Sequence, residues 1–357
     1  MINNPILDLK NGFPNGMEWT QSNITSGDFN TVYNGNGMWV AGSSSNNGLY
    51  YSTDGKTWTH SNITSGYFDT VYNANGMWVA GSSSNSNGKG LYYSTDGKNW
   101  TQSNITQYTF NKVYNSNGLW VAACSSHGLY YSTNGKNWTQ SNITSVSIYT
   151  VYNANGMWVA GSTGTSNGNG LYYSTDGKNW TQSNITSGKY ISVYNSNGLW
   201  VASDWYGDNG TMYSTDGKTW KQSNLTSGKC GAIYNANGMW VAGSTNSNGL
   251  YYSTDGKNWT QSNITRGCFY PYSIYNASGI WVASDWHGDN GIMYSIDGKT
   301  WTQSNITSGK YMSVYNANGI WVVGGWGDNG ICYSVSWEEG GGSSGGSSSG
   351  GSTTISL

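Results

Sequence analysis

Three short segments of this chain set an indole among carboxylates and amides. Ser203–Gly210 reads S-D-W-Y-G-D-N-G, Ser284–Gly291 reads S-D-W-H-G-D-N-G, and Gly325–Gly330 reads G-W-G-D-N-G. The candidate ligand-binding residues are therefore Asp204, Trp205, Tyr206 and Asp208; Asp285, Trp286, His287 and Asp289; and Trp326 and Asp328. A flat indole can stack on the apolar face of a sugar ring while Asp and Asn exchange hydrogen bonds with its hydroxyls. Several weak pockets on one body would then add by avidity. The same residues admit a plainer reading, in which each Trp packs on a neighbouring loop and Asp-Asn-Gly makes a tight turn. Trp and Tyr also anchor protein interfaces, so a polypeptide ligand stays open beside a glycan.

Covalent and acid–base chemistry finds little to work with. The three Glu are Glu18, Glu338 and Glu339, outside the repeated body of the chain. The three His (His60, His127, His287) and four Cys (Cys124, Cys230, Cys268, Cys332) are scattered, with no C-x-x-C pair or metal-ligand spacing. Free, packed thiols are expected, with no cofactor and no metal. Net charge is -2 with 9% charged residues, which offers no field for nucleic acid or anionic membrane. No apolar run reaches the length of a membrane span, and no secretory signal is visible. Those two features suggest a cytoplasmic protein, or one that is particle-associated or released by a non-Sec route.

What positions the three segments is an eightfold repeat. W-T-Q-S-N-I-T, V-Y-N-x-N-G-x-W-V-A and L-Y-Y-S-T-D-G-K recur in order, and the leading tryptophans are Trp19, Trp58, Trp100, Trp138, Trp180, Trp220, Trp259 and Trp301. A period near forty with strand-like content marks a closed repeat array. Each repeat divides into four strands: the residues ending in V-Y-N, then Met-Trp-Val-Ala-Gly, Leu-Tyr-Tyr-Ser-Thr and Trp-Thr-Gln-Ser-Asn-Ile-Thr. Asn-x-Asn-Gly joins the first pair. Asp-Gly joins the last pair, and is expected to supply the positive φ angles of a tight hairpin. This predicts an all-β, eight-bladed β-propeller of four-stranded antiparallel blades, spanning 19–337 between a lead-in at 1–18 and a flexible Gly/Ser-rich tail at 338–357. The chain opens on a lone fourth strand and its last repeat lacks one. The N-terminal strand is therefore expected to complete blade eight and close the ring.

The turn Ser52-Thr53-Asp54-Gly55-Lys56-Thr57-Trp58, with near-copies from Ser94, Ser132, Ser174, Ser214, Ser253 and Ser295, resembles the Asp-box of sialidase-like and lectin-like propellers. It departs from the family pattern in having Asp and Gly adjacent, and in Asn134 of the third copy. The resemblance implies a structural turn remote from any catalytic site. Sialidase chemistry requires three arginines around the substrate carboxylate; this chain has one, Arg266.

In a four-stranded meander the 1–2 and 3–4 turns lie on one face of the ring, and the 2–3 loops with the blade-to-blade connections on the other. The constant turns fall on the first face and both variable stretches on the second. Sixteen of the 20 Trp belong to the repeat; three of the other four are Trp205, Trp286 and Trp326, in the 2–3 loops of blades five, seven and eight. An irregular insertion, Arg266 to Tyr272, lies on the same face. Phe29, Phe68, Phe110, Tyr190 and Tyr311, three residues before the V-Y-N valine, are expected in the core. Tyr67, Tyr108, Tyr149, Lys189, Lys229 and Lys310 are expected on the surface near the channel mouth. The expectation is a non-catalytic, monomeric, carbohydrate-binding propeller of lectin or adhesin type that engages glycans multivalently through the loop face. A platform for a cell-surface or other protein ligand, or a display scaffold on a viral or phage fibre, is the alternative.

Overall fold

The innermost strand of each blade carries the V-Y-N motif, or I-Y-N in blades six and seven, and its β-branched and aromatic residues suit a half-buried pleated surface. In the computed structural model, which describes residues 17–83, 88–164, 170–205, 209–226 and 229–335, these residues build eight four-stranded antiparallel sheets. Blade one is typical, with strands Phe29–Gly35, Met38–Ser43, Leu49–Ser52 and Thr59–His60. Blade eight takes its outer strand from the start of the chain: Thr20 pairs with Tyr333 and Gln21 with Cys332. The propeller and its closure are thus as the repeat predicts. Trp337 and the Gly/Ser tail lie outside the described residues.

The core sits between blades rather than within them. Val40 and Leu49 of blade one pack against Phe68, Val71, Trp78 and Trp100 of blade two, and Val322 and Ile331 of blade eight pack against Phe29 and Trp39 of blade one. The residue opening each inner strand is buried, including Phe29, Phe68 and Phe110 at 0% exposure. The four cysteines are free and buried.

A side-chain amide joins each blade to the next. Asn23 accepts a hydrogen bond from the backbone N–H of Trp58 at 2.7 Å and donates its own Nδ2 to the Trp58 carbonyl at 2.8 Å. The amide group thereby mimics a peptide and extends the sheet ladder across the seam. The pair of bonds recurs around the ring, as at Asn62–Trp100 and Asn263–Trp301. Asn305 closes it on Trp19, with bonds of 2.7 and 2.9 Å. The asparagine of the repeated N-I-T sequon is therefore committed to the ring. Its neighbours bend the chain away: Ser22 Oγ accepts from Ile24 N at 3.1 Å. This is why the outer strand is a two-residue ladder rather than the seven-residue strand expected.

The paired positive φ angles expected of Asp-Gly in the 3–4 turn occur instead in the 1–2 turn. Positive φ at both central residues, the type I′ condition, occurs in Asn-Gly of the 1–2 turn, as at Asn75 (φ 51°) and Gly76 (φ 80°). In Asp-Gly of the 3–4 turn the glycine alone has positive φ. The Asp works instead through its carboxylate: Asp255 Oδ1 accepts from Lys257 N at 2.9 Å and Asn258 N at 2.7 Å, and from the Ser253 hydroxyl at 2.9 Å. Partial burial raises the Asp255 pKa, but the N–H groups of Asn258 and Lys257 and the side chains of Asn258 and Ser253 outweigh it and hold the group at about 2. The lysine that follows lies over a strand-three tyrosine of the preceding blade, as Lys98 does over Tyr51 at 5.3 Å, a cation–π contact across the seam.

Two outcomes are expected. Asn142→Ala and Asn305→Ala should each cost about 1–3 kcal/mol in urea-monitored stability, because two backbone groups lose their partners. Their midpoints should agree to the extent that the amide clamp sets them, since Asn305 makes the same two bonds to Trp19 as Asn142 makes to Trp180. Changing Asp54, Asp96, Asp176, Asp216, Asp255 and Asp297 together to Asn should flatten acid sensitivity. These carboxyls have lowered pKa values in the fold. The stability they add is complete above about pH 4 and is lost as pH falls below it. Thermal midpoints from pH 5 to pH 2 check this, with Asn134 as the built-in precedent for the neutral turn: its Oδ1 accepts from Lys136 N and Asn137 N at 2.9 Å.

Candidate functional site on the loop face

The 2–3 loops are sewn to the blade-to-blade connections by backbone bonds, which fixes both on one face. In blade one Ser44 N donates to Asp28 O at 2.8 Å; the same bond in blades two and six comes from Ser83 to Tyr67 O and from Thr245 to Lys229 O. The three extra tryptophans occupy this position. Trp205 N donates to Lys189 O, Trp286 N to Cys268 O and Trp326 N to Lys310 O, at 2.8–2.9 Å. Each indole thus stands where other blades carry a small hydroxyl residue.

The carboxylates do not all face the ligand side. Asp204 and Asp285 sit where blades one and two have buried Ser43 and Ser82, and are themselves 0% exposed. Asp285 Oδ1 accepts from Cys268 N and His287 N at 2.9 Å; its Oδ2 accepts from Asn290 N and Nδ2 at 3.0 and 2.9 Å. Asp204 Oδ1 accepts from Lys189 N at 2.9 Å. These two acids organise their loops from below. Blade eight has Gly325 at this position, and its loop turns through Gly327–Asn329, with Gly327 N donating to Asp28 Oδ1 at 2.7 Å. Asp289 and Asp328 are exposed, as is His287, whose Nδ1 lies 3.3 Å from Asp289 Oδ2. Tyr206 and Asp208 lie outside the described residues. His60 and His127 are packing residues, set against Tyr50 and Tyr108 with ring centroids 4.0 and 3.9 Å apart.

The blade-seven insertion joins the tryptophans. Phe269 takes the standard buried position, so the irregular stretch is Tyr270–Ser273, four residues where the other blades have two, rather than the whole of 266–272. Tyr270 meets Trp205 at 6.5 Å and Trp286 at 5.1 Å, and Trp286 meets Trp326 at 6.4 Å, all edge to face. These separations are in the range where edge-to-face pairs attract. Lys310 Nζ lies 5.6 Å from the Trp286 ring. The result is an unbroken aromatic arc of half-buried rings from blade five to blade eight, with Tyr270 bridging blade six.

Toward the axis, the V-Y-N tyrosines make a closed belt that sequence reasoning passed over. Neighbouring rings, from Tyr33–Tyr72 round to Tyr315–Tyr33, are 4.8–5.1 Å apart. Hydroxyl contacts link each to its neighbours, and burial first, then mutual repulsion, raises the Tyr33, Tyr114 and Tyr234 pKa values. The belt lines a channel cavity of about 270 Å³. Lys112 also lines it, where blades one, two and four carry Thr31, Thr70 and Thr150; its Nζ is 4.1 Å from the Tyr272 ring centroid. Burial lowers the Lys112 pKa to about 7. Tyr149, expected near the channel mouth, lines a small vestibule there with Asn30, Asp69 and Asn111. Among the described residues no group of three His, Cys, Asp or Glu could hold a metal ion, and no helix is long and apolar enough to cross a membrane.

No protein-family profile and no curated protein matches this sequence. Solved structures do match in shape. The computationally designed Ika8 protein aligns with a TM-score of 0.69 at 9% identity, over 90% of this chain and 100% of its own. A catalytically inactive virginiamycin B lyase from Staphylococcus aureus with quinupristin gives 0.60 at 8% identity, over 89% and 98%. YCF48 bound to D1 peptide gives 0.54 at 15%, over 91% and 97%. The chain is an eight-bladed β-propeller, and at these identities the likeness is one of fold.

Lys112 generates a prediction of its own. Its pKa is lower in the fold than in the unfolded chain, so the unfolded state holds more protons above pH 7 and stability rises with pH there. Urea midpoints of the wild type should climb between about pH 7 and 9.5 relative to those of Lys112→Thr, which lacks the group.

Proposed function

We propose that this chain is a non-catalytic docking propeller whose loop face receives an extended polypeptide along the arc Trp205–Tyr270–Trp286–Trp326. The observation that carries this reading is the continuity of the arc across four blades. Rings already held edge to face lose little freedom on binding, and large aromatic anchors ringed by polar residues are the usual energetic centre of a protein interface. Here the polar rim is His287, Asp289, Asp328, Lys310 and Arg266, all exposed. YCF48, to which this chain is similar in fold, is bound to D1 peptide, which supports a peptide ligand here. The S-x-D-G-K-x-W turns are read as variant Asp-boxes with a structural task.

A glycan remains the second reading, favoured by exposed Asp289 and Asp328 beside Trp286 and Trp326. It is weakened because Asp204 and Asp285, which were to meet sugar hydroxyls, are turned inward, and because Lys310 and neighbouring rings occupy part of the Trp286 surface. Selection from a random peptide display library, run beside a glycan array, separates the two. Peptides should be enriched on the wild type, and the triple variant Trp205→Ala, Trp286→Ala, Trp326→Ala should weaken them by about 30-fold or more while keeping the wild-type circular dichroism. Trp-dependent glycan binding without peptide enrichment would establish the sugar reading instead, and peptide binding untouched by the triple variant would move the site elsewhere.

A further inference from the structure

The insertion does more than bridge the arc. Pro271 and Tyr272 line both the vestibule and the channel cavity, so they partition one from the other. Tyr272 adopts φ 79°, a conformation a bulky residue seldom takes. On the vestibule side lies Asp69, which accepts from Asn30 Nδ2 at 2.8 Å. On the cavity side lies Lys112. The acid and the base are thus on opposite sides of the partition, and among the described residues no carboxylate comes within ion-pair distance of Lys112.

The cavity is amphipathic. Hydroxyls of Thr31, Thr70, Thr150 and Ser192 and the tyrosine belt supply polar groups; the slightly exposed Val32, Val71 and Val193 supply apolar wall. Its volume of about 270 Å³ is well above the roughly 150 Å³ that suffices for benzene in an apolar protein cavity. A half-buried cation facing such a space, held by one aromatic face and no counter-charge, is an anion-recognition group in search of its ligand.

We propose that the channel cavity is a binding site for a small aromatic monocarboxylate, its carboxylate on Lys112 Nζ and the cavity hydroxyls and its ring against the valine wall. This site is separate from the polypeptide surface and does not depend on it. The departure is local to blade three, so the repeat itself supplies the control: Lys112→Thr restores the residue of blades one, two and four.

The titratable groups facing Lys112 are few. Tyr72, Tyr114, Tyr152 and Tyr272 all have pKa values raised by burial and stay neutral below pH 9, as does Tyr149 on the vestibule side of the partition. Burial also raises the Asp69 carboxyl, against hydrogen bonds from Asn30 and Ser83, and it lies beyond the partition. Lysine charge therefore governs anion binding between pH 6 and 8.5, and the lysine is charged below about 7.

The test is calorimetric titration of the full chain with benzoate and with benzyl alcohol, its neutral analogue, at pH 6 and pH 8.5. The wild type should bind benzoate one to one at pH 6, about tenfold or more tighter than benzyl alcohol. That preference should shrink by about tenfold at pH 8.5 and vanish in Lys112→Thr. Absence of benzoate binding at pH 6, or a benzoate preference unchanged by pH or by Lys112→Thr, overturns the proposal. The pH comparison uses the wild type alone, so it holds whatever the variant's stability.

Discussion

The bond on which this ring depends is an amide that imitates a peptide. Eight asparagines, one at the bend after each outer strand, each hold the backbone N–H and C=O of the next blade's outer tryptophan. At the axis lies a cavity whose tyrosine belt joins only neighbouring blades, so every seam must be made separately, and the last must be made between residues far apart in sequence. Asn305 and Trp19 make it with the same two bonds as the others. The apolar clusters between blades add burial, but burial is non-directional. The amide pair fixes the register in which that burial occurs.

Much of this could be read from the residues. Period, strand content and the displaced fourth strand were enough for eight blades and for their closure, because each follows from patterning that tertiary context does not override. Tight turns were legible as turns but not as types. Asn and Asp both precede Gly in the sequence, and their difference lies in whether the backbone or the side chain does the work. Asn75 itself enters positive φ, whereas Asp255 stays out of it and caps N–H groups with its carboxylate. The outer strand was overestimated because Ser22 and Asn23 look like continuing strand and instead bend the chain and clamp the seam.

At the site, the tryptophans were legible because they break the repeat. The inward turn of Asp204 and Asp285 was not, since burial at that position shows up in the equivalents Ser43 and Ser82 only once the blades are superposed. Lys112 and the tyrosine belt were missed for opposite reasons. The belt is repeated so faithfully that it read as fold. Lys112 departs from the repeat in a single residue, inside a strand that looked structural. Tyr270 belonged to a segment already noted as irregular; its bridging role needed the distances to Trp205 and Trp286. The loop face and the channel therefore meet in one short insertion, with Tyr270 in the arc and Tyr272 over Lys112.

The central claim is that the same amide clamp at eight seams holds one closed ring. Amide hydrogen exchange of the eight clamped tryptophan N–H groups tests it most directly. Trp19, Trp58, Trp100, Trp138, Trp180, Trp220, Trp259 and Trp301 should exchange together, by global unfolding, with protection at Trp19 matching the rest. Exchange at Trp19 that is markedly faster than at the other seven would mean that the ring opens at the seam between the chain's two ends, and would contradict the account.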